Sequence, residues 1–264
     1  MSGILLHTSG RRLRSTDPWP NGECAGRESG KLSDEVAPMT NRNPRKRHKP
    51  FKVLIVDGHP VVREGLSIKI AREQNLEVCG EADNVPQALQ LVKATDPDLV
   101  ITDISLRSGN GLDLIKRIKQ RNKATQVIVW SLYPDTLYAE RALHAGALGY
   151  LNKDEPTDKL IGAIRRVIAG HIYLSKSMTE RILLRASRVS HEIPPAMSVA
   201  SLSDRELEAF QLIGWGLDSR EMAKRMYVSP KTINTYLTRI KAKLGVNSTE
   251  QLMQAAMKLT LPEN

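Results

Sequence analysis

Four side chains suited to phosphate chemistry stand just past short apolar runs. Asp57 follows residues 53–56, Asp103 follows 99–101, Ser131 follows 127–130 and Lys153 follows 149–151. If these runs are strands of one open parallel sheet, all four side chains converge beyond its C-terminal edge, where such sheets place their ligands. Two neighbouring carboxylates repel, and a hard cation relieves that repulsion. Oxygen ligands select Mg²⁺, which retains several waters. A carboxylate held beside Mg²⁺ and an ammonium group can attack an activated phosphoryl group, since both cations neutralise the transferring oxygens. A single Asp ending a strand is ordinarily a turn or cap residue. Functional groups at the ends of four strands call for a common purpose.

A second candidate set lies near the C-terminus. In residues 230–244, Ile233, Leu237, Ile240 and Leu244 recur at helical spacing and form one apolar stripe. Lys231, Asn234, Thr235, Thr238, Arg239 and Lys241 are left for the outer face. An α-helix fits the major groove of DNA, where Asn can bond adenine through two hydrogen bonds and Thr can meet a thymine methyl. Lys231, Arg239 and Lys241 suit backbone phosphates.

The elements that must position the first set are legible from periodicity. The apolar runs, with a weaker one at Val78-Cys79, are mostly β-branched, as in strands buried on both faces. Helical patterns separate them at 61–71, 86–94, 112–120, 137–145 and 156–169. Five strands alternating with five helices predict a parallel sheet covered on both sides, with right-handed crossovers. Residues 174–200 hold a short basic helical stretch and then Ile193-Pro194-Pro195, where paired prolines stop a helix and mark a linker.

From residue 201 onward the chain reads as all helix. Ser203-Asp204-Arg205-Glu206 is a capping box, and Asp218-Ser219-Arg220-Glu221 resembles a second. Ser229 precedes Pro230 as cap before a first-turn proline, and Ser248-Thr249-Glu250-Gln251 is a fourth start. Four helices in about 60 residues, with a short turn at 227–229, describe a helix-turn-helix.

Composition sets outer bounds. The formal charge of +10 is unevenly spread, at about +5 over 1–50, about +1 over 51–173 and about +4 over 174–264. The basic C-terminal part fits a nucleic-acid partner. Residues 1–50, rich in Gly, Ser, Pro, Asn and Arg, read as a disordered extension, with Arg45-Lys46-Arg47-His48-Lys49 a solvated tail. Cys24 and Cys79 sit in unrelated contexts, which suits a reducing compartment rather than a disulfide framework. No apolar run approaches the ~20 residues needed to span a bilayer, and Ile4-Leu5-Leu6 is too short for a secretory leader. The expectation is a cytoplasmic protein without a membrane partner.

The segments KVLIVDGHPVVREGL, PDLVITDISLRSGNGLDLI and HAGALGYLNKDE resemble the receiver of two-component response regulators. LSDRELEAFQLIGWGLDSREMAKRMYVSPKTINTYLTRIKAKLGVNS resembles the LuxR-type helix-turn-helix of the nitrate-regulator and quorum-sensing subfamily. The resemblance spans about residues 52–260, in the order expected of that subfamily. It implies a flavodoxin-like, doubly wound, five-stranded parallel α/β sheet followed by an all-α four-helix domain. The corresponding boundaries are 1–50 for the extension, 51–173 for the receiver, 174–200 for the linker and 201–264 for the DNA-binding domain. It further implies that Asp103 is the phosphoacceptor, that Asp57, Asp103 and the Ser105 carbonyl hold Mg²⁺, and that Ser131 and Lys153 meet phosphoryl oxygens. Tyr150 becomes the aromatic switch residue, and Asn234, Thr235 and Thr238 the base-facing set. The implied partners are double-stranded DNA, a sensor histidine kinase or small phosphodonor, and a second copy of the chain on DNA through the last helix.

One position departs from the family pattern. Two adjacent acidic residues usually follow the first strand, and here the pair is Asp57-Gly58. Weak Mg²⁺ binding is the expected result, and His59 reads as a packing residue rather than a replacement ligand. The main expectation is a non-enzymatic transcriptional regulator switched by phosphorylation. One alternative is a receiver that controls DNA binding through protein or ligand contacts without phosphate. Another, an enzyme on the same doubly wound fold, is disfavoured because no Gly-rich nucleotide loop, nucleophile elbow or Cys/His metal cluster is visible.

Overall fold

The computed structural model describes residues 49–187 and 198–260. The expectations for residues 1–48, Cys24 included, and for Ile193-Pro194-Pro195 lie outside the described residues. Five parallel strands, β1 (Phe51–Val56), β2 (Leu76–Ala82), β3 (Leu99–Thr102), β4 (Gln126–Ser131) and β5 (Gly149–Asn152), form one sheet in the order β2-β1-β3-β4-β5. The winding reverses between β1 and β3, so their C-terminal ends flank the switch-point crevice.

Alternation along the strands feeds two cores. Val53, Ile55, Leu99, Ile101, Ile128 and Trp130 pack against α1 (Pro60–Ala71) and α5 (Thr157–Ile168). Leu54, Val56, Val100, Val127 and Val129 pack on the other face against α2 (Val85–Thr95), α3 (Gly111–Arg121) and α4 (Asp135–Ala145). The strand foreseen only at Val78-Cys79 is seven residues long. It lies at the sheet edge and is mostly half-buried, so Glu77 and Glu81 interrupt its apolar run and hide its length.

After β5 and α5 the chain adds α6 (Lys176–Ser187) within the stretch read as linker. Its Met178 is buried, its Ile182 packs on the core, and the Ser175 hydroxyl just before it donates to Asp135 at the start of α4. A single turn at Val199–Ser201 leads into α7 (Asp204–Gly214), α8 (Ser219–Met226), α9 (Pro230–Leu244) and α10 (Thr249–Thr260). Each start signal is used. Ser203 with Glu206 and Asp218 with Glu221 form reciprocal capping boxes. Ser229 caps α9 through the Thr232 amide, and Ser248 receives the Gln251 amide at α10. Ile233, Leu237 and Ile240 turn into the helical core, as their spacing predicts. The apolar cluster on the α3–α4 side of the sheet continues through Leu106 and Tyr133 to Leu207 and Phe210 of α7.

Candidate phosphoacceptor pocket and DNA-reading helix

The strand ends bring Asp57, Asp103, Ser131 and Lys153 together. Asp57, Asp103 and Ser131 are almost fully covered at 2%, 4% and 1% exposure, so each polar atom needs a partner inside the protein. Lys153 supplies the main one. Its Nζ lies 2.6 Å from Asp57 Oδ2 and 2.6 Å from Asp103 Oδ2, bridging the two carboxylates. Burial alone would depress this ammonium, but the charge of Asp103, then that of Asp57, and hydrogen bonds to both hold it above the ordinary lysine range. Its Nζ also sits 5.7 Å from the centre of the Trp130 ring, within cation–π range.

The other two carboxylate oxygens also have partners. Asp103 Oδ1 accepts from Ser131 Oγ and from the Ile104 amide, each at 2.6 Å. Asp57 Oδ1 accepts from the His59 amide at 2.8 Å and lies 3.0 Å from His59 Nδ1. Two carboxylates facing one ammonium leave a net negative pocket, suited to a further cation.

The residues present fit a small oxygen-seeking ion. Asp57, His59 and Asp103 each offer a donor atom, and these atoms all lie within 4.8 Å of one another. A Cβ built on Gly58 would approach the Ser105 carbonyl at 3.7 Å, so the absent side chain leaves room beside the expected backbone ligand. Of the two packing roles open to His59, in the core or in the loop, the structure excludes the core. Its side chain is 55% exposed, with Nδ1 against Asp57 Oδ1 in the loop before α1.

Tyr150 is buried and turned inward, its hydroxyl donating to the Tyr133 carbonyl at 2.8 Å. Burial, then the Asp103 charge, raises its phenol well above the ordinary range, so it acts as a neutral donor. Ser105 pairs with Asn110 across a tight loop, and Asn110 Nδ2 donates to Glu208 of α7 at 2.9 Å. Asn110 and Glu208 went unremarked in the sequence, because their pairing spans 98 positions and depends on how α7 docks.

On α9, Lys231, Asn234, Thr235, Thr238 and Arg239 are all exposed, forming one outward face. Thr235 and Thr238 donate their hydroxyls to the carbonyls one turn earlier, leaving their methyls as the groups they offer outward. Asn234 Oδ1 accepts from Ser219 Oγ at 3.2 Å, which fixes its amide against the start of α8. Lys241 differs from its expected placement. It is half-buried and its charge acts on Glu250 of α10, whose carboxyl is held low by its own backbone amide first, then by Ser248 and by Lys241.

Comparison with known families matches this two-part architecture. Residues 53–165 match the response regulator receiver domain, and residues 200–256 match the bacterial regulatory proteins of the luxR family. The oxygen regulatory protein NreC of Staphylococcus epidermidis is 31% identical over 217 residues, covering 81% of this chain and all of that protein. The response regulator GacA of Pseudomonas aeruginosa is 30% identical over 208 residues, covering 79% of this chain and 96% of that one. A solved structure of the RcsB response regulator of Salmonella typhimurium, 26% identical, superposes with a TM-score of 0.58 over 81% of this chain and the whole of that one. The fold and the site define a receiver joined to a helix-turn-helix. The chain belongs to the response regulators with a luxR-type DNA-binding domain, a family of transcriptional regulators.

Proposed function

We propose that Asp103 is the phosphoacceptor of this regulator and that its modification governs how α9 engages duplex DNA. The observation that carries the reading is the shared ammonium: Lys153 Nζ stands 2.6 Å from both Asp57 and Asp103, with Ser131 on the other Asp103 oxygen. An Asp103 oxygen attacks the phosphorus of a phosphohistidine on a sensor kinase, or of a small acyl phosphate. The P–N or P–O bond to the leaving group breaks and an aspartyl phosphate remains. Lys153 follows the phosphoryl oxygens as charge builds on them, and Ser131 Oγ turns from Asp103 Oδ1 to one of those oxygens. That turn alters the hydrogen bonding around Tyr133 and Tyr150, the pair joined next to Ser131. Bound Mg²⁺ would supply neutralising charge to the phosphoryl group. Asp57, Asp103 and the Ser105 carbonyl would hold it, weakly, with water where Gly58 lacks a carboxylate.

In the same proposal, Asn234, Thr235 and Thr238 read base edges while Lys231, Arg239 and Lys241 hold phosphates, in a homodimer assembled through α10. Residues 51–173 are assigned to the receiver, 174–200 to the connection and 201–264 to the DNA-binding part, with 1–50 an extension. No helix among the described residues is long and apolar enough to cross a membrane, and a cytoplasmic location belongs to this reading.

Acetyl phosphate with Mg²⁺ is expected to add the mass of one phosphoryl group, and Asp103→Asn to abolish the addition. Duplex DNA selected by the protein should bind more tightly after labelling. No mass gain under excess donor, with DNA binding intact, would establish the second reading, a receiver working without phosphate. Gly58, together with two carboxylates already shared with Lys153, is the observation that favours it.

A further inference from the structure

We propose that Glu208, a residue of the DNA-binding half, is a positioning residue for the receiver's metal-binding loop, acting through Asn110. This rests on the reading that Asp57, Asp103 and the Ser105 carbonyl hold a divalent cation.

The loop from Asp103 to Gly111 closes tightly. The Gly111 amide donates to the Ile104 carbonyl at 2.8 Å, and a Cβ on Gly111 would fall 2.0 Å from the Asp103 carbonyl. Across this loop Ser105 and Asn110 stand opposite each other in a single antiparallel bridge closed by that Gly111–Ile104 bond, so a shift of Asn110 is passed to the strand that carries the Ser105 carbonyl. Asn110 is fixed from two sides. Its Oδ1 accepts from the Leu112 amide at 2.8 Å and caps α3, while its Nδ2 donates to Glu208 Oε2 at 2.9 Å. Arg205 Nη1 meets the same Glu208 oxygen at 2.9 Å. The DNA-binding half therefore grips the residue that faces Ser105 across the loop. Pre-setting the Ser105 carbonyl lowers the ordering cost of binding the ion.

Glu208 is hard to explain as a stabilising residue. It is 1% exposed and its Oε1 has no partner. Around it, both polar atoms of Gln211 and the Tyr138 hydroxyl are buried without partners, and the Tyr133 hydroxyl faces Ser105 without completing a hydrogen bond. Burial pushes the Glu208 carboxyl up, against the pull of Arg205 and Asn110. Desolvating a carboxylate with half its lone pairs unmet works against folding. The contact to Asn110 is what it provides. Docking itself has other supports: Lys116 and Arg141 bond Asp204 at 2.8 and 3.1 Å, and the Tyr133 ring lies 5.4 Å from that of Trp215.

The test titrates Mn²⁺, a paramagnetic stand-in for Mg²⁺, into the full chain and reads the free ion by electron paramagnetic resonance. Glu208→Leu is expected to weaken Mn²⁺ binding by about fivefold or more, since couplings between sites commonly reach that size. Glu208→Gln keeps an acceptor for Asn110 and is expected to stay within about twofold of wild type. Thermal melts should not rank the three proteins as their Mn²⁺ affinities do, a separation that a purely structural role would not give. Equal Mn²⁺ affinity in the three proteins, equal weakening in both variants, or a loss of affinity that tracks a fall in Tm would each overturn the inference. A wild type that binds no Mn²⁺ would overturn it together with the metal assignment. Acetyl-phosphate labelling in the same preparations separates the readings. If Mn²⁺ binds as expected but Asp103 never labels, the phosphoacceptor reading falls and the positioning role stands.

Discussion

Gly58 is the residue at which charge is missing, and the space beside it makes the consequence measurable. A Cβ there meets nothing closer than the Ser105 carbonyl at 3.7 Å, with Arg107 atoms at 3.8 Å, so an aspartate enters without displacing backbone. Gly58→Asp should tighten Mg²⁺ binding on the order of tenfold or more, because first-shell charge sets affinity at such sites. It should also speed labelling of Asp103, while Asp103→Asn abolishes labelling in either background. Mg²⁺ titration against Trp130 fluorescence and acetyl-phosphate mass shifts give two independent readouts. A wild type that already matches Gly58→Asp in both would mean that the missing carboxylate is compensated, with the exposed His59 ring beside Asp57 as the group to examine. The pocket residues were legible in the sequence because strand ends in an open sheet have a fixed address, and type plus position then suffices. His59 and Glu208 were not. A ring's direction depends on the turn into α1, and a contact 98 residues away depends on docking, neither of which periodicity encodes.

At the scale of elements, the start of α7 ties local sequence to packing. Ser203 caps through the Glu206 amide, and Glu206 returns the bond at 2.8 Å while accepting from Lys243 of α9 at 2.6 Å. Ser203→Ala should cost ~1 kcal/mol of stability, the usual worth of such a cap, read as a lower urea midpoint with unchanged slope. Glu206 adds a pH dependence of known sign. Burial would raise its carboxyl, but the Lys243 hydrogen bond and those of Ser203 outweigh it and hold the group low. A carboxylate whose folded pKa lies below its unfolded one stabilises above the unfolded value and loses that contribution as pH falls through the folded one. Stability should therefore decline as pH drops below 4.5, the ordinary glutamate value, and Glu206→Gln should flatten that part of the curve. A Tm profile unchanged by Glu206→Gln would show that the Lys243 pair contributes nothing. All four helix starts were readable because caps are local chemistry. The extent of β2 was not, since an edge strand with one wet face mixes Glu into its apolar run, and the packing of α6 on α4 was hidden by the basic residues around it.

Over the whole molecule, the outer face of α9, proposed to read DNA, stays open while α7 is docked on the receiver. Lys231, Asn234, Thr235, Thr238 and Arg239 are exposed on α9 in the same structure in which Asp204 holds Lys116 and Arg141. Docking therefore does not hide that face, so under the proposed function control would act through pairing of copies or through their relative orientation. This gives a salt prediction with a definite size. Two exposed α9 cations per copy, four in a dimer, should release counterions and give log–log salt slopes of about −4 from this helix alone. Lys231→Ala should make the slope shallower by about 2 in a dimer and weaken every sequence alike. Lys241→Ala should change it less, because that side chain is half-buried. Asn234→Ala should instead cost about 1–3 kcal/mol on the selected site and little on random duplex, since base contacts specify while phosphate contacts position. Fluorescence anisotropy across a salt series, on selected and random duplexes, separates these effects. Equal losses for Asn234→Ala on both DNAs would remove it from the base-reading set, and a flat salt response would remove α9 from the phosphate contact altogether.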